Sequence, residues 1–260
     1  METRKTNSAI ELLKNMKILY VEDNSEAREE LTDVLKRRAG KVLTAENGKQ
    51  GVELYEDHLP DIVLADLYMP EMGGIEMIRQ IRRLSGSPAV IVISAANEVD
   101  TILGAVDAGI DKYLRKPVSL KALLEALSEL AELLQSQRPG GIAIPPENKK
   151  VAEAEIKKEF AAFLKASTGK GPRDVSVFIQ DNHIEIMAAE VLTVLEKSLL
   201  DDSRSSTAIR QIRELFFSVK ETQLCEMLFS ILRYDVRLKE ILINPEKDRN
   251  KLIFTILREN

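Results

Sequence analysis

Five residues of this 260-residue chain have the types and spacing for one joint piece of chemistry: Glu22, Asp23, Asp66, Ser94 and Lys116. They close or directly follow the apolar runs of MKILYVED, DIVLAD, AVIVIS and KYLRK. Carboxylates that converge repel one another and need compensation. A hard divalent cation with oxygen ligands supplies it, and Mg²⁺ characteristically takes one or two protein carboxylates, several waters and a substrate phosphate. Lys116 would add a mobile positive charge on the other side, and the Ser94 hydroxyl can donate a hydrogen bond. Together these groups suit a phosphoryl group. Any one Asp at a strand end is more often a helix cap or a solvated loop residue, so the reading rests on the ordered set.

The elements that must position this set follow from the alternation of pattern. Val- and Ile-rich runs, read as buried strands, alternate with segments of helical spacing near Ser25–Arg38, Lys49–Asp57, Gly74–Arg83, Glu98–Asp107 and Leu120–Leu134. Five strands alternating with five helices predict an α/β fold, a doubly wound five-stranded parallel sheet of order 2-1-3-4-5. In that order the first and third strands are neighbours, so Asp23 and Asp66 should meet in one crevice at the carboxyl ends. The segment QSQRPGGIAIPP interrupts any helix with Pro139, Gly140, Gly141, Pro145 and Pro146. It divides the chain into a first domain over 14–135, a linker over 136–147 and a second domain over 148–260.

Composition narrows the class further. With 44% apolar and 30% charged residues the chain is neither disordered nor of low complexity. No apolar stretch approaches the ~20 residues a membrane-spanning helix requires, and the first fifteen residues lack a signal-peptide core, so a cytoplasmic location without membrane insertion is expected. One cysteine, Cys225, and two histidines, His58 and His183, leave no disulfide and no zinc signature. Met1–Ile144 carries 18 Lys/Arg against 23 Asp/Glu and Pro145–Asn260 carries 19 against 19. Neither half has the overall basic footprint of a nucleic-acid binder.

The motifs YVEDN, ADLYMPEMGG, ISA and YLRKP resemble, in order, those of the response-regulator receiver domain, over roughly Lys14–Gln135. The resemblance implies that Asp66 is the phosphoacceptor, taking a phosphoryl group from the histidine of a sensor kinase or a phosphotransfer protein. It implies further that Glu22, Asp23, Asp66 and the backbone carbonyl of Tyr68 hold Mg²⁺, and that Lys116 pairs with the phosphoryl oxygens. Ser94 would hydrogen-bond the phosphoryl group when the switch is made, and Tyr113 would rotate inward with it. Receiver domains commonly pair through the fourth and fifth strands and their helices, which makes a homodimer the expectation. Gly73-Gly74 stands where many members have Asp-Gly, and Glu22 where many have Asp; neither removes a needed charge. Small Ala95 and Ala96 leave water access to the acyl phosphate, so the modification should be temporary.

The second half reads as a smaller α+β domain with β-hairpins. A helix near Asn148–Ala166 precedes the strands DVSVFIQ and HIEIMAAE, joined by the turn pair Asp181-Asn182; helical segments near Leu192–Leu200 and Ser205–Leu232 follow, then strands near Val236–Ile243 and Lys251–Leu257. This half resembles the MpsC-type small domain, found in proteins linked to a sodium-translocating, membrane-potential-generating system. Gly169-Lys170-Gly171 fails as a phosphate loop because Pro172, not a helix, follows it. His183, Cys225 and Glu190 form no acid, base or nucleophile set, and Lys197, Arg204, Arg210 and Arg213, with Asp201, Asp202 and Glu214, read as a solvated, ion-paired face. The expected function is a phosphorylation-switched regulator whose output binds an unidentified protein partner. The alternative is a transcription regulator with an atypical DNA-binding output. Ser205–Leu232 lacks a compact turn before a basic recognition helix, and no clustered catalytic set marks an output enzyme.

Overall fold

The computed structural model describes residues 11–84, 88–95, 99–137, 146–200 and 203–257. The chain divides into two compact units, Met1–Pro139 and Gly140–Asn260. The predicted linker falls mostly on residues 138–145, and Glu98 and Ala96 also stand outside the described residues.

In the first unit, β1 (Lys17–Val21), α1 (Ser25–Lys36), β2 (Lys41–Ala45), α2 (Gly48–His58), β3 (Ile62–Ala65), α3 (Gly74–Arg83), β4 (Ala89–Ser94), α4 (Val99–Asp107), β5 (Lys112–Arg115) and α5 (Leu120–Gln137) alternate along the chain. The strands form one parallel sheet in the order β2-β1-β3-β4-β5. The apolar runs of β1, β3 and β4 are explained by burial on both faces, whereas the edge strands β2 and β5 are only partly buried. Ile18, Tyr20, Ile62, Leu64, Ile91 and Ile93 pack with Leu35 of α1 and Leu123, Leu127 and Leu130 of α5. The alternate residues Leu19, Val21, Val63, Ala65, Val90 and Val92 pack with Tyr55, Met77, Ile78, Ile81 and Ala105 on the other side.

Helix starts carry their own signals. Asn24 Oδ1 accepts from the Ala27 N–H at 2.9 Å, Asn47 Oδ1 from Gln50 at 2.9 Å and Ser119 Oγ from Ala122 at 3.2 Å. Lys116-Pro117, which alone would signal a helix start, instead forms a cis peptide bond, and α5 begins at Leu120.

The second unit contains α6 (Pro146–Thr168), β6 (Asp174–Gln180), β7 (His183–Ala189), α7 (Val194–Leu199), α8 (Ser203–Val219), α9 (Glu221–Leu232), β8 (Val236–Asn244) and β9 (Arg249–Ile256). Its antiparallel sheet has the order β6-β7-β9-β8, with the β6–β7 hairpin turning at Asp181-Asn182. Phe160 and Leu164 of α6, Phe217 of α8 and Leu224 and Leu228 of α9 pack with Ile184, Ile186, Leu252 and Phe254 of the sheet. Gly169 takes φ +73° and its N–H donates to the Lys165 carbonyl at 3.1 Å, so the glycine ends α6.

One expectation is corrected. The helical segment Ser205–Leu232 is two helices, interrupted at Lys220, whose φ −91° and ψ 4° leave the helical region. The buried positions Phe217, Leu224, Leu228 and Leu232 keep helical spacing across the interruption, so the apolar period gives no sign of it.

Candidate functional site

Sheet register brings the predicted residues together. Val21 on β1 lies opposite Ala65 on β3, so the residues that follow, Glu22 and Asp66, emerge side by side. Ser94 on β4 lies opposite Arg115 on β5, and the next N–H, that of Lys116, donates to the Ser94 carbonyl at 3.0 Å. Glu22 is 2% exposed and Asp66 7%, while Asp23 stands at the exposed rim. One carboxylate oxygen from each of Glu22, Asp23 and Asp66 lies within 4.8 Å of the others.

Lys116 bridges two of these three charges. Its Nζ donates to Asp66 Oδ2 at 2.6 Å and to Glu22 Oε2 and Oε1 at 2.8 and 3.1 Å. Burial acts to lower the pKa of this ammonium, but the hydrogen bonds to Asp66 and Glu22 outweigh it and hold it above the ordinary lysine value. The other Asp66 oxygen, Oδ1, accepts from the backbone N–H groups of Leu67 at 2.5 Å and Tyr68 at 3.3 Å. The two oxygens of Asp66 therefore differ: one is wrapped by backbone and one faces the lysine. The Tyr68 side chain is largely exposed, its hydroxyl 3.5 Å from Thr101 Oγ1.

Ser94 is fully buried, and the half-buried Tyr113 hydroxyl is hydrogen-bonded to it. Burial raises the Tyr113 pKa above its ordinary value despite that bond. The predicted switch pair is thus in direct contact.

Three further residues shape the crevice, none of them assigned a role in it from the sequence, where Gly74 is noted only as part of Gly73-Gly74. Tyr20, on β1, donates its hydroxyl to Glu22 Oε2 at 3.2 Å, and its pKa is pushed far up, first by burial and then by the Glu22 charge. Arg28 Nη1 donates to the Glu22 carbonyl at 2.5 Å and the Asp23 carbonyl at 3.1 Å, tying α1 to the acidic turn. Gly74 meets the strand end so closely that an added Cβ would stand 2.1 Å from the Asp66 carbonyl oxygen. Period-two spacing from Glu22 could have pointed to Tyr20. Nothing in the spacing of Arg28 or Gly74 announces its partner.

In the second unit Arg213 is a correction to the expected solvated face. It is 3% exposed, donating to Glu196 through Nε at 2.7 Å and Nη2 at 2.6 Å and to the Val191 carbonyl at 2.8 Å. Asp201, Asp202 and the Arg204 side chain, expected on the same face, lie outside the described residues. Glu190 pairs with Arg173 at 2.7 Å, and His183 Nε2 lies 3.3 Å from Lys239 Nζ. Among the described residues, the one group of acidic or other ligand side chains close enough to share a metal ion is Glu22, Asp23 and Asp66, and no helix is long and apolar enough to cross a membrane.

A β2-β1-β3-β4-β5 sheet with its acidic crevice at the ends of β1 and β3 defines a flavodoxin-like, doubly wound α/β domain. Residues 18–128 match the model of the response regulator receiver domain. The chemotaxis protein CheY of Bacillus subtilis (strain 168) is 34% identical over 114 residues, which cover 44% of this chain and 95% of CheY. The chain belongs to the response-regulator receiver family, and with it to the response regulators of two-component systems. Residues 148–258 match a second family model, that of the Na⁺-translocating membrane potential-generating system (MpsC).

A cyclic di-GMP phosphodiesterase of Thermotoga maritima is 37% identical over 108 residues, covering 42% of this chain but 29% of that protein. Among solved structures, the N-terminal domain of an uncharacterised protein (WS1339) from Wolinella succinogenes has 34% identity and a TM-score of 0.46, covering 47% of this chain and 99% of that one.

Proposed function

We propose that Asp66 is the phosphoacceptor and that its modification switches what the second unit binds. The observation that carries this reading is Lys116 Nζ, bridging Asp66 and Glu22 within a cluster of three carboxylates. The donor would be the phosphohistidine of a sensor kinase or a phosphotransfer protein. An Asp66 oxygen attacks phosphorus, the P–N bond breaks, and a proton supplied to the leaving nitrogen restores the neutral imidazole. The transition state is loose, so catalysis consists mainly of positioning and charge neutralisation.

The all-oxygen donor set fits a hard cation. Glu22, Asp23 and Asp66, with the Tyr68 backbone carbonyl, are the proposed Mg²⁺ ligands. Mg²⁺, when bound, would neutralise the charge of the acceptor and of the phosphoryl oxygens. Lys116 then exchanges its carboxylate partners for a phosphoryl oxygen. Ser94 gives up its bond with Tyr113 to donate to the phosphoryl group, and the tyrosine ring turns inward. Water reverses the modification by hydrolysing the acyl phosphate.

The output acts by binding rather than by catalysis, in the cytoplasm and as a homodimer. Leu195 and Leu199 of α7 line one pocket with Ile212 of α8, and the exposed Leu215 and Val219 follow Ile212 at helical spacing; this supports a binding role, since exposed apolar surface of this kind is characteristic of interaction sites.

Intact-protein mass spectrometry tests the acceptor. Acetyl phosphate with Mg²⁺ should add one phosphoryl group to the wild type and none to Asp66→Asn. An unlabelled wild type, or equal labelling of both, overturns the reading.

A further inference from the structure

We propose that Tyr20 is a positioning residue, whose hydroxyl keeps the Glu22 carboxylate aimed at the cation site once Lys116 turns to the phosphoryl group. This rests on the roles just proposed for Glu22 and Lys116. The two residues stand two apart where β1 runs out, so they share a face of the strand. Tyr20 is 3% exposed and held in register on both sides, against Thr44 of β2 and Leu64 of β3. Its hydroxyl donates to Glu22 Oε2 at 3.2 Å, the same oxygen that Lys116 reaches at 2.8 Å.

Glu22 has one more rotatable bond than the aspartate that many receivers carry at this point, and a longer side chain loses more rotamer freedom when it is fixed. Arg28 holds the Glu22 carbonyl at 2.5 Å but leaves the carboxylate head to the lysine and the phenol. When the lysine departs, the phenol is the donor that stays. It sits on a central strand rather than on a loop, so its position does not depend on the state of the site.

A double-mutant cycle on the full chain tests this, reading Mn²⁺ affinity by electron paramagnetic resonance at a fixed concentration of beryllofluoride, a phosphoryl mimic that takes Lys116 away from Glu22. Tyr20→Phe keeps the ring and deletes the donor, and Mn²⁺ should bind about three- to tenfold more weakly, the range expected for the net loss of one ordinary hydrogen bond, as suits the 3.2 Å contact. Acetyl phosphate labelling should slow at low Mg²⁺ and recover at saturating Mg²⁺. In a Glu22→Asp background the shorter carboxylate withdraws from the phenol, so adding Tyr20→Phe should change the affinity less than twofold. Tyr20→Met, which also lacks the hydroxyl, should reproduce the loss, with circular dichroism confirming the fold. Wild-type affinity in Tyr20→Phe, or an equal loss in both backgrounds, overturns the inference. A wild type that binds no Mn²⁺ would instead overturn the metal reading beneath it.

Discussion

Lys116 compensates an acidic pair that folding brings together. Its pKa is raised in the folded state, so its contribution to stability is fully present below the unfolded lysine value of about 10.4 and is lost as pH rises through the higher folded value. Truncating it leaves Asp66 and Glu22 close together without their ammonium. Lys116→Ala should therefore lower stability at pH 7 by about 1–3 kcal/mol, less than a fully buried pair would cost because the lysine is partly exposed. Mg²⁺ should then raise the melting temperature of Lys116→Ala more than that of the wild type. Thermal denaturation with Mg²⁺ and with a chelator measures both effects; an equal Mg²⁺ shift in the two proteins would contradict the proposed sharing of charge.

The elements contribute by how closely they approach. α3 starts against the end of β3, and Gly74→Ala would drive a methyl group to 2.1 Å from the Asp66 carbonyl oxygen. Backbone cannot yield as a flexible side chain does, so the expected cost is about 3 kcal/mol by denaturant unfolding, with slower Asp66 labelling because the acceptor's own peptide moves. In the second unit, α7 and α8 are joined by Glu196 and Arg213. Burial acts to raise the Glu196 pKa, but Arg213 and Thr193 outweigh it and hold the carboxyl below its usual value. A depressed folded pKa contributes stability above the unfolded value of about 4.3, and this is lost as pH falls through the folded value. Glu196→Gln should accordingly cost about 3 kcal/mol at neutral pH and flatten the acid limb of the stability profile. An unchanged acid limb would assign that limb to other carboxylates.

Across the whole molecule, a receiver and an MpsC-type unit share one chain, and the proposed function has modification of Asp66 change what that chain associates with. Beryllofluoride with Mg²⁺, a phosphoryl mimic, should shift the mass or the partner affinity of the full chain by light scattering and affinity capture. Ile212→Glu with Leu215→Glu places charge in the exposed apolar face of α8 and should remove that shift without preventing Asp66 labelling. Should the mimic leave both mass and partner binding unaltered, the switch reading of the output fails.

The parallel sheet and its acidic crevice were legible in the sequence because burial on both faces leaves continuous apolar runs in the inner strands, and the candidate site residues stand at the strands' carboxyl ends. Glu22, Asp66 and Lys116 could thus be placed from pattern alone, and so could the hairpin at Asp181-Asn182, whose turn chemistry is local. The interruption at Lys220 could not, since the apolar period continues through it. Arg213 reads as a surface charge until the fold supplies Glu196 and the Val191 carbonyl as partners. Tyr20, Arg28 and Gly74 gain their meaning from contacts with the acidic turn and the Asp66 peptide. Periodicity and turn chemistry are properties of neighbouring residues and survive in one dimension; a compensating charge or a close backbone approach depends on distances that exist only after the chain has folded.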